Sequence, residues 1–228
     1  MKGAIFDMDG TLLDSMPVWD TLASDYLWSQ GIEPPEDIRE IMRPLSLAQT
    51  ARYFRETLGM RAGEEEIIAD INGMIAHQYT DVVPLKAGVK SYLERLSRLG
   101  VHMCVATATD KALATAALKR NGVLGYFEFV LTCGETGGGK DSPEFYTAAL
   151  EKLGTDKDQT VVYEDALYAV KSAKQAGLYV VGVNDISAAA DAEEISRAAD
   201  EYYAAGFQNY NGDPVPRLPA VFTAGDQI

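Results

Sequence analysis

The chain has 228 residues, 47% of them apolar, enough to bury a full core as one domain or as one domain carrying a smaller insert. Its 20 basic residues against 34 acidic ones leave a formal charge of -14, which repels phosphate backbones and anionic lipid alike and sets nucleic acid and membranes aside as partners. No apolar run reaches membrane-spanning length and the N-terminus passes directly into a strand, so a cytoplasmic protein is expected, with a monomer as the default assembly.

The first element is the apolar run Gly3-Ala4-Ile5-Phe6, which reads as a strand buried on both faces and stops abruptly at Asp7 and Asp9. Side chains two apart in an extended segment leave on the same side, so both carboxylates point into one small volume, and Gly10-Thr11 lets the backbone turn there. Two like charges held that close repel unless a cation lies between them or one is protonated. The pair is therefore either a hard-metal site or an acid/base pair.

From Met16-Pro17 to about residue 82 the pattern is helical. Val18, Trp19, Leu22, Tyr26 and Leu27 share one face, and Ile67, Ile68, Ile71, Met74 and Ile75 share another. Pro34-Pro35, Pro44 and Gly63 divide the block into about four helices, and Ser46-Leu47-Ala48-Gln49 is a capping box that opens one of them. After Pro84 the chain alternates. Helix 86–98, strand 101–106, helix 111–121, strand 127–132, helix 144–153, strand 160–163, helix 166–176 and strand 179–183 follow in turn. Such alternation means a parallel sheet with helices on both faces, and the N-terminal strand must join it to find partners. Cys104 and Cys133 lie in apolar runs that read as core strands and are expected as buried thiols. The tail from Asn211, with Pro214, Pro216 and Pro219, has no clear period and reads as a surface strap or a loosely ordered end.

In open parallel sheets ligands bind beyond the carboxyl ends of the strands, so those ends are the candidate site. The first brings Asp7 and Asp9. The second brings Thr107-Ala108-Thr109-Asp110, a hydroxyl and fresh backbone N–H groups where a helix begins, which suit an anionic oxygen. After the third comes Gly134-Glu135-Thr136-Gly137-Gly138-Gly139-Lys140-Asp141, a flexible loop delivering one lysine. The fourth ends in Glu164-Asp165.

The strand followed by Asp7-x-Asp9-Gly10-Thr11-Leu12-x-Asp14-Ser15, and then Thr107, Lys140 and Glu164-Asp165 in that order, resembles the four motifs of the haloacid dehalogenase superfamily of phosphotransferases. The resemblance covers all but about the last fifteen residues. It implies a nucleophile at Asp7, which becomes an aspartyl phosphate, and a general acid and base at Asp9. Thr107 and the Ala108 backbone would bind the phosphoryl group, Lys140 would balance charge, and Glu164 and Asp165 would hold Mg2+ with Asp7 and the carbonyl of Asp9. Electrostatics agrees independently: four carboxylates around a phosphate ester require a divalent cation and a lysine among them. Magnesium suits an all-oxygen site that borrows a phosphate oxygen, and no His/Cys cluster is present to make a zinc site.

The helical block after the first motif resembles the small cap of the phosphoglucomutase-like branch. The expected fold is a Rossmann-like core (1–15 and 84–228) with an all-helical cap (16–83) on tethers at Asp14–Pro17 and Val83–Pro84. Mutases of that branch carry a histidine in the first cap helix, where this chain has Val18-Trp19-Asp20, so the resemblance favours hydrolysis of a small phosphorylated metabolite over a mutase. Met16, Trp19 and Arg43 are the candidate substrate contacts from the cap. Asp141 stands where the family usually has proline, Ala166 and Ala169 where serine and glycine are common, and Pro44 where a cap glycine is frequent. A reading of another class, a nucleotide-binding P-loop at Gly134-x-x-x-x-Gly139-Lys140, lacks the required Ser/Thr, since Asp141 follows the lysine.

Overall fold

The computed structural model describes residues 1–208 and Pro216, so apart from that proline the tail from Asn211 lies outside the described residues. Strand β1 (Gly3–Phe6) runs through the middle of a sheet, paired in parallel with β2 (His102–Thr107) on one side and β4 (Thr160–Glu164) on the other. With β3 (Val130–Thr132), β5 (Tyr179–Val183) and β6 (Glu201–Tyr203) the order is β3-β2-β1-β4-β5-β6, all pairs parallel.

The absence of charge along β1 has a direct cause: both of its faces are covered. Ala4 and Phe6 face one apolar cluster, and Ile5 faces the other, as a period of two requires. The first cluster is closed by α5 (Val89–Arg98) through Tyr92, Leu93 and Leu96, and by α6 (Lys111–Arg120) through Leu113, Ala117 and Leu118. Phe6 stacks on Tyr163 of β4 with ring centroids 4.4 Å apart. The second is closed by α8 (Pro143–Leu153), α9 (Leu167–Gln175) and α10 (Ala192–Ala198), which contribute Phe145, Tyr146, Val170 and Ile195. Each large side chain so buried stabilises the fold by roughly 1.5–3 kcal/mol.

Between β1 and α5 stand four helices, α1 (Met16–Ser29), α2 (Ile38–Met42), α3 (Leu47–Glu56) and α4 (Glu64–His77). The capping box forms as read: the Gln49 backbone N–H donates to Ser46 Oγ at 3.3 Å, and the Ser46 N–H donates to Gln49 Oε1 at 2.7 Å. Leu22, Tyr26 and Leu27 are buried on α1, and Ile67, Ile71 and Ile75 on α4, whereas Met74 turns outward. Helix α4 runs into a π-helical turn, Gln78–Val82, which buries Tyr79.

Three expectations are corrected. Cys133 is not in a strand. It starts a one-turn helix, α7 (Cys133–Thr136), because Glu135 Oε2 turns back to accept from the Thr132 N–H at 3.0 Å. Both cysteines are nevertheless buried and free. The glycine loop is consequently shorter than read, since Gly134-Glu135-Thr136 lies inside α7. The third strand has its regular ladder only at Val130–Thr132. Helix α10 and edge strand β6 carry short, mixed-polarity segments and were not anticipated.

One ion pair ties the segment before α5 to the sheet. Lys86 Nζ donates to the Gly10 carbonyl at 2.6 Å, the Asn184 carbonyl at 2.8 Å and Asp185 Oδ2 at 2.7 Å, using all three ammonium protons. The turn after β1, the end of β5 and the start of α5 are thereby held at one point. Burial raises the Asp185 carboxyl, but Lys86 and Ser187 outweigh it and hold the group below the ordinary 3.8. Removing one partner of a buried pair strands the other, so Asp185→Asn is expected to cost about 3 kcal/mol in urea unfolding at neutral pH. A depressed carboxyl contributes stability above its unfolded value that is lost as pH falls through its folded value. The gap between the two proteins should therefore close in acid below 3.8, and a gap of constant size down through that range would show that charge is not its origin.

Candidate active site

The carboxyl ends of β1 and β4 are adjacent, so residues far apart in sequence are brought together there. Carboxylate oxygens of Asp7, Glu164 and Asp165, all buried, lie within 4.8 Å of one another. Lys140 reaches them from the loop after α7, with its ammonium on both Asp7 Oδ1 and Glu164 Oε1. Burial alone would lower this lysine, yet Asp7 and Glu164 outweigh burial and hold it well above the usual range, so it is charged. A lysine committed to two buried carboxylates is not arranged as in a P-loop, and the α7 helix occupies the first part of that motif.

The lysine does not balance the cluster. Burial pushes Asp7 up to about 6, against the pull of Lys140, and burial followed by the charges of Asp7 and Glu164 pushes Asp165 well above the usual carboxylate range. Asp7 Oδ2 is buried without a hydrogen-bond partner. Asp165 Oδ1 accepts from Thr11 Oγ1 at 3.2 Å, and its other oxygen packs against Gly10, where φ is +83° and a Cβ would collide with it. Three buried carboxylates against one ammonium, one of them resisting ionisation, are a donor set short of a cation, and its all-oxygen chemistry fits Mg2+.

Glu164 differs from its neighbours. Oε1 meets Lys140 and the Tyr146 hydroxyl at 2.8 Å, and Oε2 accepts the N–H groups of Asp165 at 3.0 Å and Ala166 at 3.3 Å. Within the acidic cluster it shares the lysine with Asp7 and alone holds the turn after β4.

Asp9 stands apart from the cluster, in a cage of hydroxyls. Oδ1 accepts from Ser15 Oγ at 2.7 Å and from the Tyr79 hydroxyl at 2.5 Å; Oδ2 accepts from Thr109 Oγ1 at 2.7 Å. The Trp19 indole N–H donates to the Tyr79 oxygen at 2.6 Å. An indole can only donate, so the tyrosine proton is left to point at Asp9. Burial, then the charge of Asp7, raises the Asp9 carboxyl above its ordinary value.

Of the residues picked out by sequence, Asp7, Asp9, Ala108, Lys140, Glu164 and Asp165 border one cleft, with Met16, Trp19 and Arg43 on its helical side. Thr107 is fully buried below the cleft, accepting from the Thr109 N–H at 3.1 Å and lying 3.4 Å from Asp9 Oδ2. The hydroxyl that borders the cleft at this strand end is Thr109. Arg43 is paired with Asp191 at 3.1 Å. Tyr79, Ser15, Thr109 and Tyr146 escaped sequence reasoning. Ser15 and Thr109 stood inside quoted motifs, but Tyr79 and Tyr146 sat in helical runs, where an aromatic residue reads as core.

Residues 4–183 match the family model described as haloacid dehalogenase-like hydrolase. Among curated proteins, the chain is 26% identical over 178 residues to the phosphorylated carbohydrates phosphatase of Thermotoga maritima, covering 78% of this chain and 82% of that protein. It is 29% identical over 195 residues to hexitol phosphatase A of Escherichia coli, covering 80% and 83% respectively. Among solved structures, CbbY from Rhodobacter sphaeroides in complex with phosphate has a TM-score of 0.79 at 21% identity, over 92% of this chain and 96% of that one, a likeness of fold. With the family match running from the first strand through the fifth, this chain belongs to the haloacid dehalogenase-like hydrolase family.

Proposed function

We propose that the chain is a magnesium-dependent phosphatase that hydrolyses a small phosphorylated metabolite through an aspartyl phosphate on Asp7. One observation carries the reading: Asp7 borders the cleft with one oxygen clamped by Lys140 and the other unpartnered. A carboxylate so held is oriented, kept ionised by the neighbouring ammonium and left with one oxygen to act as nucleophile. Phosphatases among the relatives, including those named for phosphorylated carbohydrates and hexitols, support the reaction class.

The chemistry then proceeds in two displacements. The free oxygen of Asp7 attacks phosphorus, the bond from phosphorus to the leaving oxygen breaks, and Asp9 delivers its proton to that oxygen. Asp9, now a carboxylate, removes a proton from water, the water oxygen attacks phosphorus, and the bond to Asp7 breaks to release phosphate. The raised Asp9 carboxyl suits it to start protonated. Lys140 keeps Asp7 charged and offsets negative charge on the phosphoryl oxygens, with Ala108 at the mouth of the second strand to receive them. Held by Asp7, Asp165 and the Asp9 carbonyl, Mg2+ would supply the remaining positive charge on those oxygens. Glu164, the third carboxylate of that cluster, would complete the oxygen set around the ion while also holding Lys140.

In this reading residues 16–83 are a cap hinged at 14–17 and 83–84, and Asp9 senses its position. Ser15 lies in the first hinge and Tyr79 just before the second, so two of the four hydroxyls that hold Asp9 lie at or beside the hinges. Closure of the cap thus aligns the acid and excludes water in one movement. Hydrolysis is preferred to mutase chemistry because Trp19, in the position of the mutase histidine, spends its one polar hydrogen on Tyr79.

With Mg2+ and p-nitrophenyl phosphate, Asp7→Asn is expected to lower turnover by about 10³-fold or more with an unchanged circular-dichroism spectrum, and EDTA should do the same to the native enzyme reversibly. An Asp7→Asn protein within tenfold of native would remove the nucleophile assignment. Tyr79→Phe keeps the ring and deletes one bond to the acid, so kcat is expected to fall about tenfold with KM held within about twofold. A change confined to KM would instead place Tyr79 in substrate binding.

A further inference from the structure

We infer that Arg43 and Asp191 are a positioning pair that latches the helical insert over the cleft, made and broken in each turnover. The inference rests on the phosphatase reading above, in which closure aligns Asp9 and excludes water, and concerns what holds the closed position.

The stretch 43–49 of the insert meets the core at both of its ends. Arg39 pairs with Asp20 at 2.6 Å, a bond inside the insert itself. Arg43, one helical turn further on, leaves the insert instead. Its Nη1 donates to Oδ2 of Asp191 at 3.1 Å, in the segment that joins β5 to α10. The partners lie 148 positions apart, so the bond fixes one part of the molecule against another rather than stiffening a single element. Their side chains are 29% and 31% exposed. Water can therefore take up both charges when the pair parts, whereas a fully buried pair would strand them and resist opening.

At the other end of the stretch, the capping box holds Gln49 Oε1 on the Ser46 N–H. A Cβ on Gly139 would come within 2.7 Å of that oxygen. The bare backbone at 139 thus lets the first turn of α3 settle onto the loop that carries Lys140. Between the two contacts, Leu45 and Leu47 border the cleft. Gly139 gives the stretch its seat, and the ion pair gives it an attraction. A partly exposed pair shifts such an equilibrium by up to about fivefold, enough to favour closure and weak enough to release product.

The test joins kinetics to a cross-link. On p-nitrophenyl phosphate with Mg2+, Arg43→Gln and Asp191→Asn should each lower kcat/KM about threefold. The double variant should fall no further, and the gap from native should fade in about 1 M KCl. Asp191→Arg opposes like charges and should cost about tenfold, with Arg43→Asp in the same chain restoring activity to within about twofold of native. An effect of Arg43→Gln that Asp191→Asn does not share, or a double reversal as poor as Asp191→Arg, would overturn the latch and make Arg43 a substrate contact.

The second arm replaces both residues by cysteine and bridges them with a short bismaleimide; Cys104 and Cys133 are buried and stay out of the reaction. The bridged chain should keep under about a tenth of the turnover of the same variant labelled with N-ethylmaleimide, because substrate and product can no longer pass. A bridge that leaves turnover intact, or cysteines that take N-ethylmaleimide yet never bridge, would overturn the inference. Absence of phosphate release from the native chain would sink the phosphatase reading instead, and bridging, read by mass, would still decide whether the two positions meet.

Discussion

A single ammonium sits among three buried carboxylates at the ends of β1 and β4, and its shortfall of charge organises the site. Lys140 neutralises one of the three negative charges and stays charged because it faces two of them. The deficit shows as a raised Asp7, a still more reluctant Asp165 and an oxygen on Asp7 that bonds to nothing. Such a cluster is relieved by a further cation or by protonation of one of its carboxyls. The same crowding that resists ionisation leaves one oxygen of Asp7 uncommitted.

Around this centre the fold separates two tasks. Glu164 holds the lysine and the turn after β4, accepting from Lys140, Tyr146 and two backbone N–H groups. Asp9 instead faces hydroxyls that come from the core and from both tethers of the helical insert. Two carboxylates separated by one residue therefore have different environments, one beside an ammonium and one among neutral donors, and environments that differ in this way part the functions of similar groups. The Lys86 clamp on Gly10 and Asp185 fixes the turn that follows Asp9 to the end of β5.

The parallel sheet, its first strand and the four helices of the insert were legible because each rests on local pattern. Gly3–Phe6 has to be buried on both faces, and alternation after Pro84 has no other economical packing. Ser46 and Gln49 were readable as a capping box since both partners lie within one turn. Helix α7 carried the same kind of signature in Thr132 and Glu135, but the glycines after it read as loop and concealed it. Short segments such as β6 had too few residues for a period to emerge.

Chemistry was legible wherever a charge interrupted an apolar strand end, as at Asp7, Asp9, Glu164 and Asp165, because a buried charge needs a reason that local sequence already lacks. The residue types and their order along the chain thus determined the sheet, the family resemblance and the acidic cluster. Tertiary structure alone decided that Glu164 serves the lysine, that Thr109 rather than Thr107 borders the cleft, and that Tyr79, seventy residues from Asp9, aims its proton at it. Those outcomes depend on which donors lie within hydrogen-bond distance across separate elements, and distance in space is not a function of spacing along a chain.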